Sequence, residues 1–154
     1  MTLSNQSRAA NIKLFYYIIT FVYLGLTVLT VYQNPAHMNL LIAGLFVIYV
    51  LLIGLNLVRE YNFIIYKDTD DKIIMRYYPL HPFHDKFKSI EISKQTFSHF
   101  ELKKRSMGLR EDLFLYQISA KGLAKYPGIS LSALSKNQKT EILNSLLKYS
   151  KKES

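Results

Sequence analysis

Three rhythms of hydrophobic and polar positions follow one another along the chain. Residues 14–58 hold no Lys, Arg, Asp or Glu. Within them, two mainly apolar runs, LFYYIITFVYLGLTVLTVY (residues 14–32) and LLIAGLFVIYVLLIGLNLV (residues 40–58), flank the turn-forming QNPAHMN. Each run has 19 residues, roughly 28 Å as a helix and enough to cross a hydrocarbon core. The spacing predicts a transmembrane helical hairpin over 14–58, preceded by a short segment, 1–13, and followed by a domain over 59–154. The first run is long, lacks a small-residue cleavage pattern and is followed at once by a second span, which argues against a signal peptide.

After residue 58 the pattern changes to short β-branched and aromatic runs broken by turn residues. NFIIYK (62–67), KIIMRYY (72–78), FKSIEIS (87–93), TFSHFELKKR (96–105), LFLYQISA (113–120) and ISL (129–131) read as strands. DTDD (68–71), SMGLRED (106–112) and KGLAKYPG (121–128) read as connections. In 96–105, alternation sets Ser98, Phe100 and Leu102 on one face, and Phe97, His99 and Glu101 on the other. The last rhythm is helical. Ser135 and Gln138 form a capping box, Ile142, Leu143, Leu146 and Leu147 make an apolar stripe, and Lys148, Lys151 and Lys152 lie at the end favoured by cations. The fold class expected is a membrane hairpin followed by a mostly-β domain, with six or seven antiparallel strands closed by one C-terminal helix.

Charge supplies an orientation. The net charge is +9, and all 11 acids and all but two of the 20 bases follow residue 58. Those two, Arg8 and Lys13, precede the first span, Arg59 follows the second, and the turn between them carries only His37. Basic flanks place both ends in the cytoplasm, at a bacterial inner membrane, with Tyr16, Tyr17, Tyr32 and Tyr61 at the interfaces. Topology accounts for part of the basicity, so nucleic acid is not an expected partner. The spans contain no ionisable acid or base, which argues against ion transport by this chain alone. Thr20, Gly25, Thr27 and Thr30 of the first span are assumed to face Gly44 and Gly54 of the second, as small residues do at close helix contacts.

Candidate chemistry is sparse. There is no cysteine, hence no disulfide or thiolate site. No phosphate loop, nucleophile elbow or His-Glu-x-x-His is present. His81, His84 and Asp85 crowd into YYPLHPFHDKF, but a metal would need a further ligand such as His99 or Asp112, and two prolines make this an irregular connection. Asp68, Asp70 and Asp71 read as a solvated hairpin tip. The basic group Lys103, Lys104, Arg105 and Arg110 is the candidate contact for anionic lipid or a partner. No cofactor and no small-molecule substrate are expected.

The stretches DKFKSIEIS (85–93) and GISLSALSKNQKTEILNSL (128–146), in this order of strands and capped helix, resemble bacterial pleckstrin-homology-like (PH-like) domains carried behind one or two transmembrane spans. The resemblance covers about residues 62–149 plus the hairpin. Inositol-phosphate binders of that fold use a basic first hairpin loop, whereas KDTDDK is acidic, so that ligand is not expected. The resulting expectation is a non-catalytic accessory or regulatory subunit that binds a membrane protein or complex, with an anionic-lipid-sensing surface module as the alternative.

Overall fold

The computed structural model describes residues 1–33, 35–81, 86–120 and 122–151. Of the residues singled out above, His84, Asp85 and Lys152 lie outside this set. A strand, β1 (Thr2–Ser4), precedes two long helices, α1 (Gln6–Gln33) and α2 (Met38–Arg59). Seven strands follow: β2 (Asn62–Asp68), β3 (Lys72–Pro79), β4 (Lys88–Ser93), β5 (Phe97–Arg105), β6 (Arg110–Ser119), β7 (Gly122–Lys125) and β8 (Ile129–Ser130). Helix α3 (Lys136–Tyr149) ends the fold.

Both long helices have the length and apolarity to cross a membrane. Within their most apolar windows only 6% of α1 and none of α2 is buried, so neither is enclosed by the rest of the described chain. They meet along a seam. Tyr23 stacks on Tyr49 with ring centroids 4.5 Å apart, and Thr20 Oγ1 lies 3.2 Å from Tyr49 Oη. Thr20, Thr27, Thr30 and Asn56 each donate to a carbonyl one turn earlier, which gives each hydroxyl proton and one Asn56 amide proton an acceptor without water. The glycines do not make the contact assumed above. Nothing lies within 4 Å of a Cβ built on Gly25, Gly44 or Gly54, so none of the three is in close contact with the other helix. Tyr17 and Tyr32 are exposed, but Tyr16 is buried and so faces protein.

The strands form two antiparallel sheets, β1-β2-β3-β4 and β5-β6-β7, with β8 pairing β6 beside β7. They do not close into one barrel. Ile64, Tyr66, Ile73 and Met75 of the first sheet, Phe97, Leu113 and Leu115 of the second, and Ile142 and Leu146 of α3 share one buried core. The alternation expected in β5 fails at its start. A register shift between Phe97 and Phe100 is a bulge, and it lets both rings reach the core. The expected loop 121–128 contains β7, whose four residues are all exposed. An edge strand needs no apolar alternation, so its sequence reads as loop. The capping box stands as expected: Ser135 Oγ accepts from Gln138 N–H, and the Gln138 side chain accepts from Ser135 N–H.

Candidate functional site at the joint between hairpin and sheets

The segment before the hairpin is part of the sheet domain. β1 pairs with β2 from Thr2 opposite Lys67 to Ser4 opposite Ile65. The ladder ends at Asn5, which is fully buried. Its Nδ2 donates to the Asn62 carbonyl at 2.9 Å, and its Oδ1 accepts from Ile64 N–H at 2.8 Å. Its own carbonyl accepts from Ala9 N–H at 2.9 Å and so begins α1. One side chain therefore continues the sheet sideways while its backbone starts a helix, a role to which asparagine's paired donor and acceptor are suited. Ala9 packs on Leu80 and Ala133, with Ile12 and Tyr61 alongside.

The other end of the hairpin is fixed as well. Glu60 stops α2 in the left-handed conformation, φ 45°, where glycine is usual. Its carboxylate pairs with Arg110 of β6, which also bonds Asp112 Oδ1 at 2.6 Å. Burial would lower the Arg110 pKa, but the bond to Asp112 and the charge of Glu60 outweigh it and hold the guanidinium more firmly protonated. Ser130 Oγ donates to the Arg59 carbonyl at 3.2 Å.

Two open cavities adjoin at this joint, of about 650 and 550 Å3, and share Arg59, Tyr61 and Ser132. The larger is lined by Lys104, Lys136 and Lys139, with Glu111 as its sole acid. The smaller is lined by Arg8 and by apolar residues of both helices, Ile12, Phe15, Leu52 and Leu55 among them.

The basic group expected to act together is divided. Lys103 pairs with Glu101 at 3.2 Å and Arg105 with Asp112 at 3.5 Å, while Arg110 is held by Asp112 and Glu60. Lys103 and Arg105 also sit over the Phe114 ring, each at 5.7 Å. Lys104 has no ion-pair partner among the described residues, and it lines the larger cavity.

Nor does the structure gather a metal site among the described residues. His99 stacks on Tyr116 at 4.3 Å, and Asp112 is engaged by arginines. Asp68 is no solvated tip, although Asp70 and Asp71 are exposed. It pairs with Lys94 at 2.7 Å and accepts from Ser145 Oγ at 2.8 Å and Tyr149 Oη at 3.3 Å. Burial would raise its carboxyl pKa, but the bonds from Lys94 and Ser145 prevail and hold it below the usual carboxylate range. Lys94 is raised by the same pairing. Tyr66, which donates to Ser145 at 2.8 Å, is pushed up to about 12, chiefly by burial.

Sequence reasoning missed Asn5, Glu60, Lys136 and Lys139. The only sequence signal for Asn5 is a cap-favouring residue ahead of a helical run. No family model matches this chain, and neither does any curated protein or solved structure.

Proposed function

We propose that this chain is a non-catalytic, membrane-anchored accessory or regulatory subunit. Its hairpin spans the inner membrane with both ends cytoplasmic, and its PH-like domain docks on another membrane protein. The observation that carries this reading is the joint. Asn5 on one side of the hairpin and Glu60 with Arg110 on the other bind the sheets to both helices. A domain held in this way presents its surface at a fixed height and angle to the bilayer, which suits docking on a neighbour embedded in the same membrane. The apolar, outward-facing sides of both helices offer that neighbour a second contact.

The test has two parts. Cysteines at Ala36 and Lys148 are treated with an impermeant thiol reagent in intact cells, and only the Ala36 cysteine is expected to be labelled. The chain is then isolated in mild detergent and its mass measured by light scattering. A complex with a second membrane protein at fixed stoichiometry is expected. Labelling of Lys148→Cys from outside defeats the orientation, and a homogeneous particle of this chain alone defeats the subunit reading.

A further inference from the structure

We infer that the groove at the joint binds the headgroup phosphate of an anionic phospholipid. The cations are Arg8, Arg59, Lys104 and Lys136. None of them makes an ion pair among the described residues, and Arg59 donates only to Tyr61 Oη, at 2.9 Å. The fifth cation of the groove, Lys139, is neutralised by Glu111 at 2.7 Å. Lys104 and Lys136 line the larger cavity, Arg8 the smaller, and Arg59 both, so four like charges border two adjoining spaces and repel one another unless an anion joins them. This contrasts with the β5–β6 cations, whose carboxylates come from the protein itself.

The shape of the groove selects a lipid over a free anion. Its larger part lies against the sheets with Lys104 and Lys136, and its smaller part continues from Arg8 and Arg59 over Ile12, Phe15, Leu52 and Leu55 of the two helices. This polarity gradient follows that of a phospholipid, phosphate above and acyl chains below. Arg59 is the last residue of α2 and directly follows the second apolar run, which sets the cationic level at the membrane surface, where basic pockets between helices receive acidic headgroups. The turn between β5 and β6 borders the groove through Gly108 and Leu109. At its tip Met107 is wholly exposed, with φ 55°, and Leu109 is exposed beside it. An apolar tip next to unpaired cations is the composition of a loop that dips into the interface.

The inference rests on the membrane placement of the hairpin but not on the existence of a protein partner. The full chain in mild detergent is titrated with phosphatidylglycerol and with phosphatidylcholine of the same acyl length, and bound lipid is read by native mass spectrometry. Phosphatidylglycerol is expected to bind preferentially, and less so as salt rises. Arg8→Gln, Lys104→Gln and Lys136→Gln alter exposed side chains without ion-pair partners, so folding is expected to hold. Each change is expected to lower the affinity for phosphatidylglycerol about fivefold, and the triple variant about a hundredfold. Equal binding of the two lipids overturns the inference, as does undiminished preference in the triple variant. Full competition by millimolar inorganic phosphate overturns the lipid source and leaves a free-anion site. Release of the chain from membranes by alkaline carbonate is a separate result, since it defeats the membrane placement itself.

Discussion

The two ends of β2 are held by polar clusters of opposite kinds. At the Asn62 end, beside the hairpin, Asn5 makes neutral amide bonds, and Asn62 Nδ2 reaches the Ser130 carbonyl at 3.4 Å. At the Asp68 end, about 20 Å away along the strand, a carboxylate, an ammonium and three hydroxyls join β2 to Lys94 and to α3. Neutral amides suit Asn5, which is fully buried, because a charge there would need a countercharge and its partners are backbone amides. Charge is tolerated at the far end because Lys94 and Asp68 pair directly and remain partly wetted, with side chains 16% and 12% exposed. The amide half of the hold beside the hairpin therefore carries no titrating group, while the hold at the far end of β2 titrates.

Asn5→Asp attacks this difference most severely. A carboxylate at position 5 still accepts from Ile64 N–H but cannot donate to Asn62, and it buries an unpaired charge. The loss is expected to be about 3–5 kcal/mol at pH 7, read by thermal unfolding in detergent, and to shrink in acid as the carboxyl regains a proton to donate. Wild-type-like stability of the variant at neutral pH would remove the distinction between the two ends.

Asp68→Asn comes next, with an expected drop of about 5 °C in unfolding midpoint from the lost charge-assisted bonds. Its pH dependence is more telling. The folded-state pKa of Asp68 lies below its unfolded value, so its contribution is complete above about pH 5 and is lost as pH falls through the folded pKa. Lys94 is shifted upward. Its contribution is complete below the unfolded lysine value, about 10.4, and is lost as pH rises through the folded one. This end of β2 is expected to soften at both extremes of pH in the wild type; in the Asp68→Asn variant the acid softening is expected to vanish and the alkaline softening to shrink, since the Tyr149 bond to Lys94 remains. Parallel midpoint-against-pH curves for the two proteins would contradict this.

Gln138→Ala is smaller. Gln138 completes the capping box and also donates to the Ser4 carbonyl at 3.1 Å, so it ties α3 to β1 on the neutral side. A loss of about 1 kcal/mol is expected, with faster hydrogen exchange at β1. Thr20→Val is the mildest, about 0.6 kcal/mol by thermal unfolding, since the Tyr23–Tyr49 stack remains.

The contrast between the ends was not legible in the sequence, although much of the framework was. The spans, the β2–β3 hairpin and the α3 cap are local patterns: charge-free length, alternation around DTDD, and Ser135 three residues before Gln138. β1 is TLS, three residues with no periodicity, and only its partner across the fold makes it a strand. Asp68 looks like its neighbours Asp70 and Asp71, and only Lys94, Ser145 and Tyr149, all distant in sequence, set it apart. Likewise Lys103, Arg105 and Arg110 read as a cluster because the sequence shows neighbouring cations but not which carboxylates, Glu101, Asp112 and Glu60, occupy them. The groove eluded the sequence for the converse reason, since its four unpaired cations come from α1, α2, β5 and α3.

The placement of β1 ahead of the hairpin also sets a timetable for biosynthesis. Thr2 pairs with Lys67, so the first strand leaves the ribosome about 65 residues before its partner, a wait of roughly 3–13 s at ordinary elongation rates. Both spans are synthesised in that interval. With the hairpin placed in a bilayer as proposed above, it has to enter and return before the sheet can be completed, and closing the sheet then shuts a ring of chain around the two helices. Insertion and folding are thereby ordered: a hairpin that fails to turn back leaves β2 on the wrong side of the membrane from β1, with its outer edge unpaired and recognisable to quality control. A fragment that begins after the two long helices has the same open edge, so the sheets expressed without the preceding residues are a substrate for aggregation and not a faithful copy of the domain.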